Sequence, residues 1–400
     1  MGKVMINAAV MGYGVIGSGV VEVLKRNAAV VAAHAGDTVR VTRVLDLKDL
    51  TGTAVEDIWT KDFNDILTDP DIDIVVEVMG GTGAAYKFVK ASLEAGKSVV
   101  TSNKALVAAY GPELISIARE KNINFFFEAS VGGGIPIIRP LLDCITADEI
   151  LEICGILNGT TNFILSKMYD EGSEFGAVLK EAQANGFAEA DPAADIEGHD
   201  ACRKIAILTS LAYGQFVDFE DIPCRGISDI DPADIEYAKM LGRKIKLFGM
   251  ARKENDKVFA EVSPFMTDPQ DPLFAVDGVM NAIVVKGNML GEVMFYGAGA
   301  GSLPTASAVV SDIIVAAQNL SHNIFIKMDA EKQAIDDGAS VMDKYFIRFA
   351  KGSDTSSLPV SEKLSLENRD EFALVTEELS GADISRISAM PGFIKAIKVK

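Results

Sequence analysis

The stretch that decides the fold is Gly12-Tyr13-Gly14-Val15-Ile16-Gly17. It has the pattern G-x-G-x-x-G, follows an apolar run at Val4–Met11, and opens a helical pattern at Val15–Lys25. In this context Gly12 allows a tight turn, Gly14 lets a pyrophosphate approach the backbone, and Gly17 lets the helix pack on the strand. The pattern predicts a dinucleotide-binding turn; the alternative is a glycine-rich turn that binds no ligand.

The rest of the first third alternates short apolar runs with helical patterns. We predict strands at Val39–Leu45, Ile72–Val78, Ser98–Thr101 and Ile123–Phe127, and helices at Ala84–Ala95 and Leu106–Glu120. Strands that alternate with helices of this length indicate a parallel sheet with right-handed crossovers. The fold class predicted for this part is therefore α/β, with a Rossmann-type doubly wound parallel sheet.

The pattern changes at the glycine-rich junction Val131–Pro136. Beyond it we predict strands at Glu152–Leu157, Val258–Pro264 and Ala282–Lys286, a helix at Ala306–Leu320, and C-terminal strands at Lys344–Phe349, Glu371–Thr376 and Phe393–Val399. This irregular order is typical of α+β structure. The predicted domains are a dinucleotide-binding domain (1–135 plus 303–325), an α+β catalytic and dimerisation domain (136–302), and a small α+β C-terminal domain (341–400).

Composition narrows the classes of partner. The 400 residues are 48% hydrophobic and carry a net charge of −19, which argues against nucleic acid or an anionic membrane as the main partner. The apolar run Ile6–Leu24 contains four glycines and Glu22, unlike a signal peptide or a spanning helix. The four cysteines lack metal-ligand spacing and lie among apolar residues, so we expect buried thiols in a reducing compartment, the cytoplasm.

Asp46, after the second predicted strand, bears on the choice between NAD and NADP. Its carboxylate can accept hydrogen bonds from the ribose hydroxyls of NAD. Arg43 and Lys48 lie close by in the sequence and are suited to the 2′-phosphate of NADP. Asp46 favours NAD slightly, and an ordinary turn residue at a strand end is the alternative.

Two further polar segments follow predicted strands. Gly80-Gly81-Thr82 follows the third strand, and Ser102-Asn103-Lys104 follows the fourth. Open α/β sheets bind ligands at the carboxyl ends of their strands, so both segments are candidate cofactor contacts. Lys104 is either a solvated loop residue or a contact to cofactor or substrate.

The densest polar cluster lies at residues 186–204. Its acidic residues are Glu189, Asp191, Asp195, Glu197 and Asp200. They indicate a ligand that carries an ammonium group, or else a solvated acidic loop. Asp200 and Lys204 are four residues apart on one helix, so the carboxylate can orient the lysine beside a polar substrate. The spacing also allows an ordinary surface salt bridge.

This cluster resembles the signature of the homoserine dehydrogenase family. The matching residues are Ala182, Gly186-Phe187-Ala188, Asp191-Pro192, Asp195-Ile196, Gly198, Asp200 and Lys204. Three more stretches are similar to this family: Ser102–Val107, Glu128–Pro136 and Asn158–Leu165. These stretches occur in the same order as in the family, and the likeness spans roughly residues 3–325. A shared fold alone would not produce matching motifs over so much of the chain.

The resemblance implies an NAD(P)-dependent enzyme that interconverts L-homoserine and L-aspartate 4-semialdehyde in amino-acid biosynthesis. It implies that Lys204 is the general acid and base, assisted by Lys104. The implied substrate contacts are Glu189, Asp200 and Asp195. The implied cofactor contacts include the glycine turn, Asp46, Gly80, Thr82, Ser102 and Lys104. To these the resemblance adds Gly186, Glu189 and Gly301. A monovalent cation, usually sodium, is implied at Glu128 and the carbonyls of Val131, Gly133 and Ile135. The implied assembly is a homodimer or a higher homo-oligomer.

In this family a small regulatory domain of the βαββαβ ACT type often follows. Residues 341–400 look similar, but Lys351–Thr355 replaces the usual Asp-x-Pro-Gly turn after the first strand. The alternatives are a threonine-sensing domain and a dimerising or degenerate one.

Two other functions compete with this interpretation. An aspartate-semialdehyde dehydrogenase needs a nucleophilic cysteine and a histidine base, which the three histidines and four cysteines do not supply convincingly. A dinucleotide-binding sensor without catalysis would keep the glycine turn but has no need of Lys204 beside Asp200.

Overall fold

The computed structural model describes residues 5–367 and 369–400. Val4, where we predicted the first strand to begin, lies outside these residues. The chain folds into two compact units. Unit 1 contains the residues up to Glu149, together with Ala206–Phe219 and Phe295–Gln333. Unit 2 contains Ile150–Ile205, Glu220–Met294 and Ala334–Lys400. The division into three domains stays a prediction.

The first part of the chain has the predicted alternation of strands and helices. Its strands are β1 (Ile6–Met11), β2 (Val39–Leu45), β3 (Trp59–Thr60), β4 (Ile74–Glu77), β5 (Ser98–Thr101) and β6 (Phe125–Phe126). Its helices are α1 (Val15–Arg26), α2 (Ala28–Ala35), α3 (Asn64–Leu67), α4 (Gly83–Glu94) and α5 (Lys104–Glu120). The predicted helices are confirmed to within two residues at each end.

The six strands form one parallel sheet in the order β3-β2-β1-β4-β5-β6. In register, Met11 at the end of β1 lies between Leu45 of β2 and Glu77 of β4. The chain first adds β2 and β3 on one side of β1 and then crosses to the other side to form β4. The strand order therefore reverses between β1 and β4. Such a reversal leaves a crevice at the carboxyl ends of the strands, which positions the glycine turn for a ligand.

The middle of the chain contains helices and longer strands. They are β7 (Ile150–Ile156), α6 (Gly159–Glu171), α7 (Phe175–Ala184), α8 (Ala193–Ile196), α9 (His199–Tyr213), β8 (Gln215–Phe216), α10 (Pro232–Met240), β9 (Lys244–Glu254), β10 (Lys257–Thr267), β11 (Met280–Gly287), β12 (Gly291–Ala298), α11 (Ser302–Gln318) and β13 (Asp329–Lys332). The turn between β9 and β10 has Asn255 and Asp256 at positive φ, as a tight hairpin requires. Phe248, Met250 and Phe265 of this hairpin pack in the core with Cys154 of β7.

The C-terminal segment continues the same sheet. Its elements are β14 (Met342–Ala350), β15 (Val360–Leu364), β16 (Glu371–Thr376), β17 (Leu379–Ser380), α12 (Gly381–Ser388) and β18 (Phe393–Val399). The strand order is β12-β11-β7-β9-β10-β18-β14-β16-β15, with β18 parallel to β10. The stretch 351–359 between β14 and β15 forms turns and no helix, so the first helix of a βαββαβ order is absent from it. The short Ser/Thr-rich connection accounts for this, and the ACT-like topology is not confirmed.

The exposure of the cysteines and the length of the apolar helices bear on two predictions made from composition. Cys154 and Cys202 are buried, but Cys144 and Cys224 are exposed, so the prediction of four buried thiols was wrong for these two. Apolar neighbours in sequence did not bury them: Cys144 ends a short helical turn, and Cys224 lies outside the named strands in an isolated β-bridge to Val262. Within residues 5–367 and 369–400 no helix is long and apolar enough to cross a bilayer.

A buried ion cluster holds α10 against the C-terminal strands. The side chain of Arg348 on β14 is 4% exposed and lies 2.7 Å from Asp234 and 2.9 Å from Asp231 at the start of α10. Its other guanidinium nitrogen lies 2.8 Å from Glu371 on β16. Lys395 on β18 contacts the second oxygen of Asp234 at 2.6 Å. Removing one partner of such a cluster leaves buried charges without compensation.

We therefore expect Arg348→Met to lower the free energy of unfolding by about 3–5 kcal/mol. The matched control is Arg369→Met, because Arg369 is 38% exposed and lies 4.0 Å from Glu236. Surface pairs of that kind contribute roughly 0–1 kcal/mol. Urea unfolding of the two variants measures the difference. Equal losses would show that the Arg348 cluster adds no more to stability than a surface pair.

Candidate active site

The glycine-rich turn has the predicted geometry. Gly12 has a φ of +100°, a conformation that favours glycine, and its N–H donates to the Leu45 carbonyl at 2.8 Å. A Cβ on Gly17 would lie 1.9 Å from the Gly12 carbonyl oxygen, so only glycine lets α1 come this close to the turn. A Cβ on Gly14 would meet no atom within 4 Å. Gly14 therefore faces open space at the N-terminus of α1, where a pyrophosphate would lie.

The Asp46 carboxylate is fixed against this turn. One oxygen accepts the Tyr13 N–H at 2.7 Å, and the other accepts the Lys48 N–H at 2.8 Å. The indole N–H of Trp59 donates to the Asp46 carbonyl at 3.0 Å. Asp46 thus has the structural role of a turn residue at a strand end. Its carboxylate also lies beside the glycine turn.

A second polar group lies at the ends of β4 and β5. The buried carboxylate of Glu77 accepts the Thr101 hydroxyl at 2.5 Å and the Met79 N–H at 2.9 Å. Burial raises the pKa of Glu77, and these hydrogen bonds oppose the rise. Asn103 caps α5 through the Leu106 N–H and donates to the Gly81 carbonyl at 2.6 Å. The two polar segments predicted from sequence are therefore joined.

The predicted residues of these segments lie at the sheet edge. Gly80 has a φ of +78°, Thr82 precedes the first turn of α4, and Lys104 is the first residue of α5. The Ser102 N–H donates to the Glu77 carbonyl at 3.4 Å. All four belong to unit 1, as does the glycine turn.

Gly301 belongs to the same crevice. It has a φ of +116° and precedes α11. The hydroxyl of the next residue, Ser302, donates to the Val15 carbonyl at 2.7 Å and so ties α11 to the glycine turn. Gly133 and Gly134 pack on the same loop, where a Cβ on Gly133 would lie 2.4 Å from the Gly299 carbonyl oxygen.

The loop predicted to hold a cation is organised by Glu128. Its carboxylate accepts the backbone N–H groups of Ile137, Ile138 and Arg139 at 2.7–2.9 Å. The Glu128 N–H donates to Asp312, which also pairs with Arg139 at 2.6 Å. Because it accepts these three N–H groups, the Glu128 carboxylate helps to fix the loop that carries Val131, Gly133 and Ile135.

The clearest catalytic geometry surrounds Lys204 in unit 2. The Lys204 ammonium donates to the Asp200 carboxylate at 2.7 Å and to the Leu157 carbonyl at 2.7 Å. The two side chains of this pair are 10% and 6% exposed. The surface salt bridge that spacing alone allowed is therefore ruled out, because this pair is buried. A buried ammonium beside a carboxylate is suited to proton transfer.

Asp195 joins this group through Asn158, the residue that follows Leu157. The Asn158 amide donates to Asp195 at 2.7 Å and to Asp200 at 2.9 Å. The structure thus brings together three of the predicted site residues, one on α8 and two on α9.

Glu189 and Gly186 lie in the loop between α7 and α8. Gly186 has a φ of +74°, and the Thr160 hydroxyl donates to the Phe187 carbonyl at 2.7 Å, which ties this loop to α6. The Glu189 side chain is exposed, and its main-chain carbonyl accepts the Gln183 amide at 3.1 Å. The described contacts do not join Glu189 to Lys204.

Comparisons with known proteins agree on one family. Residues 12–128 match the family model "Homoserine dehydrogenase, NAD binding domain", and residues 136–314 match the model "Homoserine dehydrogenase". The homoserine dehydrogenase of Bacillus subtilis is 39% identical, over 96% of this chain and 94% of its own length.

The chain belongs to the homoserine dehydrogenase family. It is thus an NAD(P)-dependent oxidoreductase that acts on a hydroxyl group. The crystal structure of a homoserine dehydrogenase from Thiobacillus denitrificans aligns with a TM-score of 0.91 at 36% identity, covering 99% of this chain and 98% of that one. A hyperthermophilic archaeal homoserine dehydrogenase in complex with NADPH aligns with a TM-score of 0.65 at 30% identity, covering 78% of this chain and 97% of that one.

Reasoning from sequence missed five residues of this family member's crevice and lysine site. Glu77 and Thr101 lay inside predicted strands, and Asn103, Asn158 and Ser302 had no assigned role except as parts of motifs or loops. For the two asparagines a signal was present. Each stands between a strand and a helix, where an asparagine side chain caps the first turn. The pairing of Glu77 with Thr101 had no sequence signal, because it depends on strand register.

For the cofactor crevice we expect Gly14→Val to fold normally and lose dinucleotide binding, since the new side chain would fill the open space beside α1. Gly17→Val is the contrasting variant: its side chain would collide with the Gly12 carbonyl and destabilise unit 1. Calorimetric titration with NAD⁺ and NADP⁺, alongside thermal unfolding, separates the two effects. Tight binding by a folded Gly14→Val protein would contradict this site.

Proposed function

We propose that the chain interconverts L-homoserine and L-aspartate 4-semialdehyde, with Lys204 as the acid–base group. The observation that carries this proposal is the buried pair of Lys204 and Asp200, 2.7 Å apart, at the end of the family's signature. The carboxylate favours the charged ammonium, which is the form that donates a proton. The Leu157 carbonyl holds the same ammonium from the β7–α6 turn.

Proton transfer at the reacting oxygen is the chemical task of the protein. In aldehyde reduction the Lys204 ammonium gives a proton to the carbonyl oxygen. In homoserine oxidation the neutral lysine accepts the hydroxyl proton. The nicotinamide supplies or accepts the hydride when it is bound. The Asp200 carboxylate lies 2.7 Å from this ammonium and balances its charge.

The substrate contacts follow from charge. Homoserine carries an ammonium and a carboxylate besides its hydroxyl. We assign the ammonium to Glu189, with Asp195 adding negative charge, and the hydroxyl end to Asp200 beside Lys204. Lys104 assists at the substrate and contacts the cofactor. An exposed carboxylate such as Glu189 is accessible to an incoming zwitterion.

The cofactor contacts proposed are the glycine turn, Asp46, Gly80, Thr82, Ser102, Lys104, Gly186, Glu189 and Gly301. The open space at Gly14 and the free end of α1 fit a pyrophosphate. The carboxylate of Asp46 would bind the ribose hydroxyls of NAD and repel the 2′-phosphate of NADP. We therefore keep a slight preference for NAD, although an archaeal relative has been crystallised with NADPH.

A sodium ion is proposed at Glu128 with the carbonyls of Val131, Gly133 and Ile135. The donor set fits, since carboxylate and carbonyl oxygens suit a hard cation. Glu128 uses three of its roughly four acceptor positions on backbone N–H groups, which leaves one for a cation. The ion would order the loop that packs on Gly299.

A homodimer is proposed from the edge of the large sheet. β12 is the terminal strand, and Met294 and Tyr296 on it are 46% and 56% exposed. Met289 and Leu290 add exposed apolar surface beside it. A cytoplasmic location stays a prediction. A role in amino-acid biosynthesis follows from the substrate, while threonine sensing by residues 341–400 is not supported by the topology.

One assay separates the proposed activity from its rivals. Reduction of NAD⁺ and NADP⁺ is followed spectrophotometrically with homoserine as substrate. An aspartate-semialdehyde dehydrogenase would be inactive with homoserine. A sensor would bind the cofactor and turn over neither substrate.

We expect Lys204→Ala to lower kcat by at least about two orders of magnitude, the usual contribution of a general acid–base group. The dissociation constant for NAD(P) should stay close to that of the wild type. Lys180→Ala, which changes an exposed lysine on α7, is the control and should keep full activity. Near-normal turnover in Lys204→Ala would refute the role.

We expect Asp46→Asn to raise the preference for NADP⁺ over NAD⁺ roughly tenfold, because it removes the charge that repels the 2′-phosphate. Asp49→Asn is the matched control, since Asp49 lies in the same loop and accepts hydrogen bonds from the backbone and hydroxyl of Thr51. The kcat/KM values for the two cofactors give the ratio. An unchanged ratio would leave Asp46 with a purely structural role.

A further inference from the structure

The turn between β7 and α6 has a feature that the proposed function does not use. Asn158 lies in this turn, directly before α6, and is 6% exposed. Its side-chain oxygen accepts the Thr161 N–H at 2.9 Å and so caps α6. Capping fixes which way the amide points, because the oxygen must face the helix. The amide nitrogen is then directed away from α6.

That nitrogen bridges two carboxylates. It donates to Asp195 at 2.7 Å and to the Oδ2 atom of Asp200 at 2.9 Å. The same Oδ2 atom accepts the Lys204 ammonium at 2.7 Å. A flipped amide would set its oxygen against two negative charges, so the cap and the carboxylates select the same orientation. Asn158 and Lys204 therefore donate to the same oxygen of Asp200.

We propose that Asn158 is a positioning residue for the acid–base reaction. It orients the Asp200 carboxylate toward Lys204, and it keeps Asp195 and Asp200 close together by hydrogen-bonding to both. The inference rests on the proposed role of Lys204. Adjacent residues of one turn therefore hold the lysine: Leu157 holds it directly, and Asn158 holds it through Asp200. Without the amide, repulsion between the carboxylates would displace Asp200 from its observed position.

The first variant separates capping from positioning. Asn158→Ser keeps an oxygen that can cap α6 but removes the amide donor. We expect kcat for homoserine oxidation to fall roughly tenfold to a hundredfold, because small misplacements of reacting groups lower rates by this order. The KM for the cofactor should change less than about twofold, because none of the contacts of Asn158 described above goes to a residue proposed to bind the cofactor.

The second variant tests the electrostatic consequence. Asn158→Asp keeps the shape and the cap but replaces both donors with a negative charge. The charged groups that described contacts join to Lys204 are Asp200 on α9 and, through Asn158, Asp195 on α8. A further carboxylate there favours the ammonium form, so the rising limb of homoserine oxidation should move to higher pH by about one unit. A limb that stays in place would show that residue 158 does not act on Lys204 through these carboxylates.

The control is Asn162→Ser, one turn further along α6. Asn162 is also a buried amide; it donates to the Val276 and Met280 carbonyls and accepts the Lys246 ammonium. This variant should lose stability yet keep the pH limb and the kcat of its folded fraction. If both Asn158 variants behave like Asn162→Ser while Lys204→Ala is inactive, the positioning role alone is wrong. If Lys204→Ala stays active, the proposed function is wrong, and the inference is wrong with it.

Discussion

The lysine site depends on the cost of burying an ammonium group. Lys204 is largely removed from water, and an unpaired charge there would strongly oppose folding. Its position is tolerated because Asp200 supplies a carboxylate and Leu157 supplies a carbonyl. Two separate elements, α9 and the β7–α6 turn, must therefore meet at one point. The same requirement keeps the lysine ready for proton transfer, so folding and chemistry share one set of contacts.

The cofactor crevice is governed by a different constraint, the close approach of backbone to backbone. α1 can begin directly over the turn only because Gly17 has no side chain against the Gly12 carbonyl. Asp46 then holds the turn from the neighbouring strand, and Ser302 holds it from α11. The open space at Gly14 is what remains when these contacts are made. A dinucleotide needs such a space, together with N–H donors at a helix end.

Polar groups that stabilise each unit also carry its proposed function. Glu77 and Asn103 join the two loops at the sheet edge, and Glu128 fixes the loop proposed to bind sodium. The Arg348 cluster is different, since it ties the C-terminal strands to α10 and has no proposed chemical role. Burial of charge therefore does not by itself indicate a reacting group. The buried ammonium of Lys204 is distinguished by its place in the family's signature.

The sequence by itself determined the parallel sheet, the glycine turn and the pairing of Asp200 with Lys204. Each depends on near neighbours in the chain: alternation, a six-residue pattern and a spacing of four on one helix. Only the tertiary structure decided that this pair is buried, that Asn158 bridges it to Asp195, and that β18 extends the sheet of the middle region. These features join residues tens to more than a hundred positions apart. Strand register and helix packing bring them together, and a local sequence pattern does not encode either.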